Sequence, residues 1–194
     1  ATRSTSRAAR SASAFVTESE APQLVDGSTP ATPSELFARL DALGIPHRTL
    51  HHPPVFTVEE AQQHRGDEPG AQVKNLFFKT KKGMALLVCL EDRALDLKPL
   101  GQLLGLGRLS FGRPPRLMSY LGVSPGSVTP FSVLNDRSGA VGLFLDEALR
   151  EFETVHCHPL DNAQTTAIRT ADLVRFLEAV EHPPSWIDLR EVTK

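Results

Sequence analysis

Val73-Lys74-Asn75-Leu76-Phe77-Phe78-Lys79-Thr80-Lys81-Lys82-Gly83-Met84-Ala85-Leu86-Leu87-Val88-Cys89-Leu90 is the stretch whose reading settles the architecture. Two runs rich in Val, Leu and Phe flank the polar turn Lys81-Lys82-Gly83, which predicts a β-hairpin over 73–80 and 84–90. The second arm is apolar without alternation. Such a strand is covered on both faces and belongs at the centre of a sheet.

The flanking sequence supplies the cover. Upstream, Leu36, Phe37, Leu40 and Leu43 recur at helical spacing between a predicted N-cap at Ser34 and a stop at Gly44. A short strand follows over 48–52. Each proline of His51-His52-Pro53-Pro54-Val55-Phe56 then biases its predecessor toward extended backbone, before Thr57-Val58-Glu59-Glu60 offers a capping box. Downstream, residues 96–106 and 114–121 read as helices, the second ending at Gly122. Residues 131–134 and 140–145 read as a second hairpin around Asn135-Asp136-Arg137-Ser138-Gly139, and residues 146–150 as a helical turn. Strands are expected over 153–158 and 162–169, and Thr170 is expected to cap a last helix over 171–180 with Leu173, Phe176, Leu177 and Val180 on one face. Strands and helices mix without strict alternation, so the expectation is a single α+β domain over 32–194 with a mixed sheet flanked by helices. Residues 1–31, rich in Ser, Ala, Thr and Arg, read as a disordered tail that imitates a transit peptide as closely as a compositionally biased end.

Composition narrows the function classes. The chain has 194 residues, 40% of them hydrophobic, enough for one ordinary core. Its formal net charge of −2 supplies no global basic field, so nucleic-acid contact must rest on a local patch and general DNA binding is disfavoured. No apolar run reaches the ~18–20 residues of a membrane span, and the expected location is the cytoplasm. Cys89 sits in an apolar run and Cys157 between two histidines, which reads as a reducing compartment with one buried thiol and one near a polar cluster. No CxxC, HExxH, GxSxG, Walker loop or GxGxxG occurs. His156 and His158 share a side of an extended strand that Cys157 cannot join, so neither a metal site nor a Cys-His pair is expected.

Three stretches remain. Lys74 offers three donors to a phosphate or ribose oxygen, with Asn75 as a neighbouring hydrogen-bonding group; the bland alternative is a solvated strand end. Gly122-Val123-Ser124-Pro125-Gly126-Ser127-Val128-Thr129-Pro130-Phe131 combines two glycines and two prolines in an irregular path able to aim backbone amides at an oxyanion, or simply to turn. His158-Pro159-Leu160-Asp161-Asn162 is the third.

The ordered set of His52-Pro53-Pro54-Val55-Phe56, Lys74-Asn75-Leu76-Phe77, Asp96-Leu97-Lys98, Arg108-Leu109-Ser110-Phe111-Gly112, Gly122 to Phe131, Asn135-Asp136, Leu145-Asp146 and His158-Pro159-Leu160 through Thr165-Thr166 resembles the YbaK/ProX-like trans-editing aminoacyl-tRNA deacylases. These are related to the insertion domain of prolyl-tRNA synthetase, and the segments look most like the ProXp-ala branch. The resemblance implies a strongly curved mixed sheet and hydrolysis of mischarged Ala-tRNA(Pro), with no cofactor, no metal and no covalent intermediate. Carried over by position, the catalytic set is Lys74, Asn75, Gly126, Ser127, Pro130 and His158. The implied substrate pocket holds His52, Pro54, Val55, Phe56, Val128, Thr129, Asn162 and Thr165, and the extended segment from His52 to Phe56 leads us to expect that Val55, Phe56 and the backbone near Gly126 narrow it. Lys79, Lys82, Arg108 and Arg113 are the candidate tRNA contacts. Implied partners are the acceptor end of tRNA(Pro) carrying a wrong amino acid and, as a candidate dock, prolyl-tRNA synthetase. Deacylation of Cys-tRNA(Pro) or of Ser- or Thr-tRNA, and a non-catalytic tRNA- or synthetase-binding module, stay open as alternatives.

Overall fold

The computed structural model describes residues 22–54 and 69–193. The expected hairpin is present: β2 (Ala71–Lys79) runs antiparallel to β3 (Met84–Leu90). β3 is buried along nearly its whole length because it is central, flanked by β2 and, in parallel, by β5 (Val141–Asp146). With β1 (His47–His51), β4 (Ser110–Phe111), β6 (Thr154–Cys157), β7 (Gln164–Arg169) and β8 (Ser185–Ile187), they form one mixed sheet in the order β1-β7-β6-β2-β3-β5-β8, β4 joining β2 off this path.

Strand alternation divides the core. Phe77, Leu86 and Val88 face one apolar cluster; Phe78, Ala85, Leu87 and Cys89 face another. The first is closed by α1 (Pro33–Ala42), α3 (Pro114–Leu121) and α4 (Thr170–Ala179) through Leu36, Leu40, Leu117, Leu121, Leu173, Phe176 and Leu177. Phe131 meets Phe176 edge to face at 5.4 Å inside it. The second is closed by α2 (Leu97–Leu103) with Leu100, together with Leu104, Leu189 and Val192. Each fully buried side chain of this size contributes about 1.5–3 kcal/mol.

Four local expectations are corrected. The first helix is capped by Thr32 instead of Ser34: Thr32 and Glu35 form the reciprocal box, and Pro33, which lacks an amide to satisfy, takes the first helical position. Thr170 opens α4 from inside while Arg169 occupies the cap position, and the Thr170 hydroxyl donates instead to the Phe152 carbonyl at 2.6 Å. Residues 131–134 are not a strand but part of a 3₁₀ helix, Pro130–Asn135, so β5 has no hairpin partner and pairs in parallel with β3 and β8. Cys157 points into the core like Cys89, and burial pushes both thiols up to about 12. The capping box at residues 57–60 lies outside the described residues.

Candidate active site at an interrupted strand edge

One edge of β2 is paired to β3 from Val73 to Lys79. The other is divided: Ala71 and Gln72 pair with Val155 and His156 of β6, whereas Phe78 and Lys79 pair with Phe111 and Ser110 of β4. Residues 73–76 have no strand partner on this edge among the described residues. Two residues beyond the Gln72–His156 pair stand Lys74 on β2 and, just past the end of β6, His158, where the parallel ladder ends.

Lys74 and Asn75 leave this segment in opposite directions, as neighbours in a strand must. Lys74 shares the face of Leu76 and Phe78, opposite Cys89, and its ammonium donates to the carbonyl of Arg93. Arg93 is clamped in turn: its Nε lies 2.9 Å from Oδ2 of Asp146, which is 1% exposed. Asn75 shares the face of Phe77. Its Oδ1 is buried and has no hydrogen-bond partner among the described residues. An orphaned acceptor of this kind costs about 1–3 kcal/mol unless a donor reaches it.

The loop after α3 begins where Gly122 adopts φ 66° and stops the helix. A Cβ there would lie 2.6 Å from Nδ2 of Asn135, so glycine is required by space as well as by backbone. Gly126 is also left-handed at φ 90°, and the Ser127 amide closes a turn on the Ser124 carbonyl at 3.0 Å. Thr129 caps the 3₁₀ helix, accepting from the Phe131 amide at 3.4 Å, while Ser132 Oγ donates to the Thr129 carbonyl at 2.6 Å. Ser127, Thr129 and Pro130 are therefore buried in the body of the loop, and Val128 packs against the first apolar cluster. Among the described residues, no backbone acceptor is paired with the amides of Gly126 and Val128.

His52, Thr165 and His158 are brought together. His52 Nε2 and Thr165 Oγ1 are 2.9 Å apart, and the His52 and His158 rings stand 6.2 Å apart. His158 Nδ1 lies 2.7 Å from the Gln164 carbonyl, so it carries the proton and Nε2 is the ring's acceptor. Burial, the largest influence, and the neighbouring His52 hold His158 below the usual histidine range despite that hydrogen bond, which keeps the ring neutral. The turn beneath it is fixed by Asp161, whose carboxylate accepts from the Ala163 amide and Gln164 Nε2, and by Leu160 at φ 67°. Asn162 is half-buried in this turn.

Pro54 is exposed just beyond His52, while Val55 and Phe56 lie outside the described residues. Lys79, Lys82, Arg108 and Arg113 are all exposed and stand around the hairpin tip and β4, Lys82 Nζ reaching the Gly105 carbonyl at 3.3 Å. The Arg93–Asp146 clamp was missed in the sequence. Asp146 closes a run of the family resemblance, but nothing local to Arg93 announces its partner 53 residues away.

Comparison with known proteins places the chain in a family. The family described as "Aminoacyl-tRNA editing domain" matches residues 52–176, a span that holds the divided strand, the loop and His158. The chain is 40% identical over 153 residues to prolyl-tRNA synthetase associated domain-containing protein 1 of Danio rerio, covering 77% of this chain and 83% of that one. It is 36% identical to the prolyl-tRNA editing protein ProX of Acetoanaerobium sticklandii, covering 74% of this chain and 89% of that one. A solved structure described as a candidate trans-editing enzyme for prolyl tRNA synthetase shares the fold with a TM-score of 0.62 at 22% identity, over 81% of this chain and 98% of the other. With its divided strand, its double-glycine loop and its neutral histidine all inside the matched span, the chain belongs to the aminoacyl-tRNA editing domain family.

Proposed function

We propose that this protein removes alanine from mischarged tRNA(Pro) by metal-independent, substrate-assisted attack of water on the aminoacyl ester. The enzyme class, an aminoacyl-tRNA deacylase, comes with the family. The observation that carries the finer reading is the end of the β2–β6 ladder, where a stretch of β2 unpaired among the described residues carries Lys74 on one face and the orphaned Oδ1 of Asn75 on the other, with His158 just past the end of β6.

The ester is already reactive, so positioning and electrostatic stabilisation suffice for useful acceleration. Lys74 holds the terminal nucleotide through phosphate or ribose oxygen. Asn75 Oδ1 accepts a donor from the substrate or the attacking water. The amides of Gly126 and Val128 face the developing oxyanion, and Nε2 of His158 accepts from the ribose hydroxyl or the water. His52, Pro54, Val55, Phe56, Val128, Thr129, Asn162 and Thr165 form or support a pocket too small for proline. Such a second sieve is needed because missing methylenes give a synthetase only about 1–3 kcal/mol each against alanine. Lys79, Lys82, Arg108 and Arg113 contact the acceptor arm, and prolyl-tRNA synthetase is the candidate dock, a reading supported by the names of the relatives.

The deciding experiment measures hydrolysis of Ala-, Cys-, Ser- and Pro-tRNA(Pro) and Ala-tRNA(Ala) by the wild type and by Lys74→Ala, with and without a chelator. Loss of alanine from tRNA(Pro) alone, unaffected by chelation and abolished by the substitution, is expected. Preference for Cys or Ser moves the protein to a sister specificity, and no turnover on any substrate leaves a binding module.

A further inference from the structure

The edge where β4 joins β2 carries an aromatic ring that the fold does not bury. Phe111 is 60% exposed. Its inner side rests on the fully buried Phe78, ring centroids 5.3 Å apart and planes inclined by 33°. The strand register sets it opposite Phe78, with Ser110 opposite Lys79. Gly112 holds this short strand close: its amide donates to the Phe77 carbonyl at 2.9 Å, and a Cβ at that position would meet the Phe77 ring at 2.2 Å. The exposed ring is thus firmly mounted.

Its surroundings are cationic. Lys79, Lys81, Lys82, Arg108, Arg113 and Arg116 are exposed on the adjoining segments. The sequence places no acidic residue between Glu68 and Glu91 or between Asp96 and Asp136, although the whole chain is at −2. Among the described residues, the other exposed large apolar side chains are Val25, Leu50 and Leu103, none of them on β4 or β2, so neither strand carries an exposed apolar row beside the ring. A solitary mounted aromatic among cations is the combination that single-stranded nucleic acid uses, since every base offers a π-face and every link a phosphate.

We propose that Phe111 is a stacking platform for an unpaired base of single-stranded RNA, with Lys79, Arg108 and Arg113 on the flanking phosphates. Phe78 and Lys74 lie on the same face of β2, four residues and about 13 Å apart at ~3.3 Å per residue. The platform therefore takes a base upstream of a terminal nucleotide held at Lys74. The identity of that RNA as the tRNA 3′ end rests on the deacylase reading; the binding itself does not.

The test is fluorescence anisotropy with a labelled, uncharged, unpaired RNA ending in CCA, and with the same strand in a blunt duplex. Wild type binds the single strand more tightly. Phe111→Ala and Phe111→Leu weaken it about tenfold, and Phe111→Trp retains affinity. Lys79→Ala with Arg113→Ala lowers the slope of affinity against salt, whereas Phe111→Ala leaves that slope unchanged. Equal affinity of the wild type and both Phe111 truncations overturns the proposal, as does absence of binding by the wild type. Wild-type RNA binding with loss of association to purified prolyl-tRNA synthetase in Phe111→Ala assigns the ring to a protein interface and also overturns it. Phe111→Tyr, which keeps the ring, serves if the truncations lower the melting temperature. The RNA carries no ester, so a chain that binds it yet hydrolyses none of the aminoacyl-tRNAs in the deacylation panel sinks the deacylase reading and leaves this one intact.

Discussion

Nε of Arg93 lies 2.9 Å from Oδ2 of Asp146, and the carbonyl of the same arginine receives the ammonium of Lys74. The pair therefore fixes the turn on which the candidate catalytic lysine rests. Asp146 is secured independently by the Ala148 amide at 3.1 Å, so the clamp has a rigid anchor. Arg93→Ala leaves the Lys74 acceptor in place but frees the turn, and strands a buried carboxylate at a cost of about 3–5 kcal/mol. Deacylation is expected to fall at least tenfold. Because the effect runs through Lys74, the Lys74→Ala, Arg93→Ala double variant should be no slower than Lys74→Ala alone. Additive losses in that cycle would separate the two residues.

The buried pair of Asp136 and His182 predicts an asymmetric pH profile of stability. His182 Nε2 lies 3.0 Å from Asp136 Oδ2, and its Nδ1 lies 2.9 Å from the Val180 carbonyl, so both ring nitrogens donate and the ring is charged. Burial pulls His182 down, but the bond to Asp136 and that carbonyl outweigh it and raise it above its ordinary 6.5. Burial likewise pushes Asp136 up, but bonds from His182, the Val141 and Ala140 amides and Ser138 hold it at about 2 against an ordinary 3.8. The histidine contribution is complete below pH 6.5 and is lost as pH rises through its raised folded value; the aspartate contribution is complete above 3.8 and lost as pH falls toward 2. Melting temperature should therefore be highest between these limits. His182→Ala should flatten the alkaline limb, and an unchanged limb would remove this pair as its cause.

Gly122→Ala should destabilise the fold by more than the ~1–2 kcal/mol of a left-handed non-glycine residue. The added methyl meets Asn135, whose amide holds both the Leu121 carbonyl and the Ala31 amide. Chemical denaturation measures this loss. Activity of the surviving folded fraction should also drop, because the same residue launches the loop that carries Gly126 and Val128.

Thiol reagents give a further check. With both cysteines buried and their thiols pushed up to about 12, iodoacetamide should leave native deacylation unchanged while labelling the unfolded chain. Inactivation of the native protein would restore a cysteine to the mechanism.

The parts of the fold that were legible in the sequence are those decided locally. The β2–β3 hairpin follows from its turn, the end of α3 from Gly122, and the burial of β3 from its unbroken apolar run. Phe131-Ser132-Val133-Leu134 misleads because its apolar residues are buried for a different reason: Thr129 caps and Pro130 starts a tight helix, a signature present in the residues themselves. The parallel partnership of β5 with β3 and β8 is set by segments far apart in the chain and has no local mark. In the candidate site, Lys74, Asn75, the glycine loop and His158 could be named from sequence. The opposed directions of Lys74 and Asn75 follow from strand alternation alone. The Arg93–Asp146 clamp and the meeting of His52 with Thr165 need the folded chain.

The break in the pairing of β2 has a consequence for solubility. Unpaired strand edges invite other chains to add on, and proteins usually blunt them with charge, proline or cover. Among the described residues the unpaired backbone of 73–76 is a short gap bounded at one end by β6 and at the other by β4, four residues that offer a foreign strand little length to pair with. The sheet can thus offer main-chain groups for recognition while denying them to aggregation.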